Sequence, residues 1–264
     1  MRGARPAYSQ TFDGSLTCAQ RVDGLLKWFD LPAAERPRFI TLYFDNVDRA
    51  GHKSGPDAPE TAAAVNEADA AIGRLLAGLA ARGLRKTASL VIVADHGMTP
   101  CGPDRVIFVE DLVNPFEVTV DSLGANGGLR PKTGTAAELA ERIRAKNVPH
   151  LQVFLREETP ARFHYRDNPR IPPVVLIADE GWNIESKLNW PSRAVTYIRG
   201  QHGYDPALPD MGALFLAIGP AFQRGVEIDD FENIEIYNLL CAVLVVKPAP
   251  NNGDQRLVRE ALAR

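Results

Sequence analysis

Apolar positions along the chain repeat with two different periods. Cys18, Val22, Leu25, Leu26 and Phe29 fall three and four residues apart, which predicts a helix over 18–29 ending before Pro32. Phe39 to Phe44, Phe-Ile-Thr-Leu-Tyr-Phe, is short, aromatic and β-branched; it predicts a buried strand whose far end delivers Asp45 and Asp48. Pro56 and Pro59 suit a first helical turn. The alanine-rich stretch 62–84 that follows, with Ile72, Leu75, Leu76 and Leu79 on one face, predicts a long helix. Ser89 to Ala94 is a nearly continuous apolar run, the pattern of a strand buried on both faces of a parallel sheet, and it stops on Asp95-His96-Gly97. Strand, helix and strand make a βαβ unit, and in such sheets ligands gather at the carboxyl ends of the strands.

From about Leu112 to Ser186 the texture changes. Phe116 to Val120 alternates, Gly124 to Gly128 reads as a loop, Thr135 to Lys146 as a helix, and His150 to Leu155 and Val174 to Ala178 as strands. We expect a small α+β subdomain over 112–186, inserted into a main domain formed by 1–111 and 187–264. Main-sheet character returns at Gly212 to Gly219, and Asn233 to Val245 predicts a last apolar helix. The chain shows no internal repeat and no low-complexity tract.

The 264 residues carry 30 Lys and Arg against 33 Asp and Glu, a formal charge of −3, so bulk electrostatics give no case for nucleic-acid binding. Any phosphate recognition is local. Cys18, Cys101 and Cys241 are far apart and form no CxxC pair, which points to neither a disulfide framework nor a thiolate metal site. No apolar stretch is long enough for a membrane span, and the N-terminal residues lack the apolar centre of a signal peptide. Taken alone, that pattern favours a cytoplasmic protein.

Asp48 and His52 lie four residues apart after the first expected strand, on what Gly51 and Gly55 predict to be a tight turn. Carboxylate oxygen and imidazole nitrogen are both zinc ligands. Asp95-His96 caps the most apolar run, where adjacent titratable groups must be solvated in a cleft or bound to metal. His202, followed by Gly203, Tyr204 and Asp205, supplies a third imidazole on a flexible turn, whereas His150 and His164 have no comparable carboxylate nearby in sequence. Asp48, His52, Asp95, His96 and His202 are too many ligands for one tetrahedral zinc, so two metals are expected. Paired divalent ions suit phosphoryl transfer, with phosphate-ester hydrolysis the leading reaction class.

Three motifs in register carry a family resemblance: Tyr43 and Asp48-x-x-Gly-His52-x-x-Gly-Pro56, Ala94-Asp-His-Gly-Met98, and Gln201-His-Gly-Tyr-Asp-Pro206 with Met211 and Gly219-Pro-Ala-Phe222 behind it. Together they resemble the nucleotide pyrophosphatase/phosphodiesterase family of the alkaline phosphatase superfamily. Arg21 to Trp28 looks like the helix preceding the first motif in that family. The resemblance implies an α/β fold: an alkaline-phosphatase-like, mostly parallel sheet flanked by helices, with the N-terminal part of the domain missing. It implies two Zn2+ ions, the first held by Asp48, His52 and His202 and the second by Asp95 and His96.

In the family an N-terminal aspartate and a nucleophilic threonine or serine complete the second site. Neither has a counterpart here, and the hydroxyls nearest the motifs, Ser54 and Thr99, read as turn and loop residues. The expected function is hydrolysis of phosphodiester or phosphoanhydride bonds in nucleotides or related esters, through a nucleophile outside this chain. Two alternatives stand beside it: a catalytically silent metal-binding fragment or pseudoenzyme, and another superfamily hydrolase acting on phosphomonoesters or phosphonates. Phe12 and Tyr43 occupy positions that line the family's substrate pocket, where aromatic faces stack on a nucleobase. The resemblance also implies a periplasmic or extracellular site of action.

Overall fold

The computed structural model describes residues 5–188 and 190–263. Two compact units emerge, one formed by Met1–Val47, Ala63–Asp95 and Leu214–Arg264, the other by Asp48–Ala62 and His96–Ala213.

In the first unit α1 (Cys18–Phe29) starts at Thr17, whose hydroxyl accepts from the Gln20 amide while Gln20 answers the Thr17 amide, a reciprocal cap. Its apolar stripe of Cys18, Val22, Leu25 and Leu26 packs on Ala71, Leu75 and Leu79 of α3 (Pro59–Ala81). Asn46, the first residue of α2 (Asn46–Ser54), donates within this unit to Ala64 O and to Glu67 Oε2, and from Asp48 onward α2 belongs to the second unit. β1 (Leu90–Val93) sends Leu90 towards the α1/α3 core and Val91 towards a second core around Phe222, Leu239 and Leu257, so its two faces turn to different cores.

Two expectations change here. Residues 39–44 have no regular secondary structure and join no ladder among the described residues, and Phe39, Leu42 and Tyr43 are exposed rather than buried, with only Ile40 and Phe44 reaching the core. Without a paired neighbour, one face of the segment stays in water. β1 pairs antiparallel with β10 (Phe215–Ile218), and Val93 is exposed, so this run is not enclosed on both faces.

The second unit holds β2 (Thr99–Pro100), β3 (Val106–Phe108), α4 (Val109–Leu112), β4 (Val118–Ser122), β5 (Asn126–Pro131), α5 (Ala136–Arg144), β6 (Leu151–Leu155), β7 (Val174–Ala178), β8 (Asn183–Glu185), α6 (Trp190–Val195) and β9 (Gly200–Gln201). Strands β4, β5, β7 and β6 form one antiparallel sheet in that order. Leu139, Ala140 and Ile143 of α5 pack against Leu129, Val174 and Leu176 in its core. The sheet lies within the span read as an inserted subdomain. The stretch 124–128, expected to be a loop, supplies the start of β5, because Asn126 to Gly128 pair with Ile177 to Val175 of β7.

The C-terminal helices α7 (Ile236–Leu244) and α8 (Arg256–Ala261) complete the first unit around Leu239 and Leu257. Among the described residues no helix is long and apolar enough to cross a membrane.

Candidate metal centre and family

The first metal motif is helical, not a turn. Asp48 and His52 sit on successive turns of α2, and a four-residue spacing on a helix puts both side chains on one face. Gly51 lies inside the helix, against the Met98 side chain, and Gly55 with φ of 101° ends it. The sequence hid this helix because α2 has almost no apolar period to announce it. Its C-terminal end is fixed by polar bonds, from Arg199 N to His52 O and from Thr61 Oγ1 to Gly55 O.

Three imidazoles converge on Asp48. Its Oδ1 lies 3.4 Å from His52 Nε2, 3.5 Å from His202 Nε2 and 3.9 Å from His96 Nε2. These separations are too long for good hydrogen bonds, and Oδ1 is sealed from water without a hydrogen-bond partner among the described residues. A buried carboxylate oxygen left so is costly unless a cation occupies the gap between it and the nitrogens. Metal bonds of about 2.0–2.1 Å in a tetrahedron place ligand atoms about 3.3–3.4 Å apart, which the His52 and His202 distances match. Asp48, His52 and His202 each offer one ligand atom, all within 4.8 Å of one another, so the donor set fits a divalent metal.

Each imidazole is held by a bond at or beside it. His52 Nδ1 is 2.8 Å from Gly200 O and, as donor, leaves its Nε2 lone pair facing Asp48. His96 Nδ1 is 2.9 Å from Gly97 O, with the same consequence. The His202 amide donates to Gln201 Oε1, and Gln201 Nε2 in turn donates to Asn183 Oδ1 on β8. Pairing of β2 with β9, Thr99 opposite Gln201, carries the two histidine segments side by side, so His96 and His202 stack 3.5 Å apart. Gly200, Gln201 and Asn183 thus support the centre. Gln201 stood in a motif, whereas Asn183 gave no signal in the sequence.

Behind His202, the Arg162 guanidinium holds the Asp205 carboxyl below the usual carboxylate range, and Ala207 N adds a hydrogen bond of 3.0 Å. Tyr204 is buried, and burial pushes its phenol well above the ordinary range. Thr99 is buried, and its Oγ1 lies 2.8 Å from both Glu180 Oε1 and Asp210 Oδ2, so this hydroxyl is enclosed by protein rather than open to a substrate. Ser54 is the last residue of α2. Asp95 stands exposed just past the end of β1 in the first unit, peptide-bonded to His96, where the second unit resumes. Phe12 and Tyr43 are in the first unit, 60% and 55% exposed, with ring centroids 6.4 Å apart at 45°.

A Gly200→Ala substitution tests the support of His52. The added Cβ would stand 2.5 Å from Gly51 O and 2.6 Å from Met98 Sδ, forcing Gly200 O away from His52 Nδ1. Zinc affinity, measured by competition with a chelating dye, is expected to fall about 10–100-fold, the usual effect of losing the group that orients a ligand.

The profile of the type I phosphodiesterase / nucleotide pyrophosphatase family matches residues 1–205. The chain belongs to that family. Among curated relatives, an uncharacterized pyrophosphatase/phosphodiesterase of Schizosaccharomyces pombe is 34% identical over 95% of the chain and 54% of its own length. The bis(5'-adenosyl)-triphosphatase of Bos taurus is 36% identical over 96% of the chain and 54% of its own length. The chain therefore spans about half the length of these relatives. Murine ectonucleotide pyrophosphatase/phosphodiesterase 5 superposes with a TM-score of 0.88 at 32% identity, over 98% of this chain and 68% of that one. The same murine protein has been solved as an inactive Thr-to-Ala variant in complex with AMP, again with a TM-score of 0.88. The chain thus has the alkaline-phosphatase-like α/β fold of those structures.

Proposed function

We propose that this chain forms part of a zinc-dependent catalytic domain that hydrolyses phosphodiester or phosphoanhydride bonds of nucleotides or related esters. The observation that carries the reading is the sealed, unpartnered Asp48 Oδ1 facing the Nε2 atoms of His52, His202 and His96. Asp48, His52 and His202 would hold one zinc, and His96 with Asp95 belongs to a second. Bound there, zinc supplies Lewis-acid charge to a phosphoryl oxygen and its attacking or leaving partner.

The chain's own residues keep that chemistry aligned. The contacts of His52 Nδ1 with Gly200 O and of His96 Nδ1 with Gly97 O fix both rings in direction, with Nε2 turned towards Asp48. Phe12 and Tyr43 stack on the nucleobase. The attacking hydroxyl is a threonine or serine of the part that the relatives possess and this chain does not span. The reading draws support from the solved murine variant, whose change is Thr to Ala and which is inactive, and from Thr99, whose hydroxyl is buried away from any substrate. We place the inserted subdomain at 112–186 within the catalytic part formed by 1–111 and 187–264, and the protein's site of action outside the cytoplasm.

The test is metal content by mass spectrometry after extensive dialysis, beside hydrolysis of a nitrophenyl phosphodiester. Zinc retained by the chain and lost in His52→Ala supports the metal assignment. A wild-type chain that retains no zinc would sink it. Turnover by this chain alone would refute the placement of the nucleophile outside it.

A further inference from the structure

One side chain in the first unit organises everything around the aromatic pair. Arg21, on α1, has a side chain only 10% exposed. Its Nη2 donates to Asp45 Oδ1 at 3.0 Å and to Asp13 O at 2.9 Å, its Nε to Leu16 O at 3.3 Å, and its Nη1 points at Tyr43 O at 3.5 Å. Its Cζ lies 4.7 Å from the centroid of the Phe12 ring, a cation–π contact. Phe12 and Tyr43 come from two stretches without regular structure, and Arg21 binds both: Phe12 by its ring and the neighbouring Asp13 carbonyl, Tyr43 by its backbone and the neighbouring Asp45.

We infer that Arg21 is a positioning residue for nucleobase recognition, setting the spacing and tilt of the Phe12 and Tyr43 rings without itself touching the base. The inference rests on the reading that these rings stack on the base. Two large aromatic faces standing more than half in water gain little from their own packing, so their geometry depends on what lies behind them. The guanidinium is suited to that task because its planar fork serves a ring face and several oxygens at once, which a lysine ammonium does not do. Arg21 thus acts on affinity for the base and not on affinity for the phosphate.

The experiment compares AMP with ribose 5-phosphate as ligands of the zinc-loaded chain by titration calorimetry, in wild type, Arg21→Lys, Arg21→Met and Asp45→Asn. Wild type is expected to prefer AMP by about 5- to 150-fold, the range that stacking of one base supplies. In Arg21→Lys and Arg21→Met that preference is expected to collapse to less than about threefold, while the dissociation constant for ribose 5-phosphate is unchanged. Asp45→Asn, which leaves the arginine in place but loosens one anchor, is expected to fall between, and it keeps the test open should Arg21→Met fail to fold. A preference retained in both arginine variants overturns the role of Arg21 and leaves the stacking reading intact. A wild type that does not distinguish the two ligands overturns the stacking reading itself, and the inference with it.

Discussion

Replacing Asp48 with alanine is expected to abolish zinc retention through dialysis, with affinity falling by more than the about 10–100-fold that follows loss of an orienting partner. The carboxylate contributes the only negative charge in the group of Asp48, His52 and His202, and all three imidazole Nε2 atoms face its Oδ1. A subtler variant separates binding from folding. Asp48→Asn keeps the shape and removes the charge, so without metal it relieves a buried carboxylate oxygen that has no hydrogen bond. The metal-free variant is therefore expected to melt at or above the metal-free wild type.

The order reverses on adding zinc. At a free concentration 100 times the dissociation constant, wild type gains about 2.7 kcal/mol, which in a chain of this size raises the melting temperature by about 5–10 °C. Asp48→Asn is expected to gain almost nothing. Thermal melts with and without zinc decide the matter, and an equal zinc response in the two proteins would remove Asp48 from the ligand set.

Much of the fold was legible because its elements bury a periodic face. α1 follows the spacing of Cys18, Val22, Leu25 and Leu26, and β7, a run of five buried residues from Val174 to Ala178, matches the strand expected there. Asp48, His52 and His202, whose ligand atoms lie within 4.8 Å of one another, were legible as a candidate group because their motifs occur together and in order, not because any one pair is telling. Two of the misread stretches failed for opposite reasons. Residues 39–44 have the composition of a strand, but a strand needs a partner as well as a pattern, and none pairs with them among the described residues. α2 has the reverse problem: its sequence Asn-Val-Asp-Arg-Ala-Gly-His-Lys-Ser carries no apolar stripe, and it is anchored by bonds from Asn46 at one end and to Gly55 at the other. Least legible were the supports of the centre. Gly200 O meets His52 across 148 residues of sequence, and no local pattern encodes such a contact.

Gly97→Ala is the second change expected to have a large effect, and it acts without touching a ligand. The added Cβ would lie 2.1 Å from Asp210 O and 2.7 Å from Gly212 O, both backbone atoms that cannot rotate out of the way. Gly97 N also donates to Met211 O at 3.1 Å, so the two segments are already drawn together at this point. One of them must move, and overpacking of this kind costs about 1–3 kcal/mol, or a melting temperature lower by about 2–12 °C.

The displacement starts beside His96, whose Nδ1 is oriented by the Gly97 carbonyl, so zinc content is expected to fall together with stability. Gly73→Ala is the matched control. Gly73 sits inside α3 with nothing within 4 Å of its would-be Cβ, and alanine in an open helical position stabilises by about 0.5–1 kcal/mol. The same added methyl group is thus expected to lower the melting temperature at 97 and raise it at 73. Were both variants to melt alike and hold equal zinc, the close approach of Gly97 to the Asp210 carbonyl would not be what holds His96 in place.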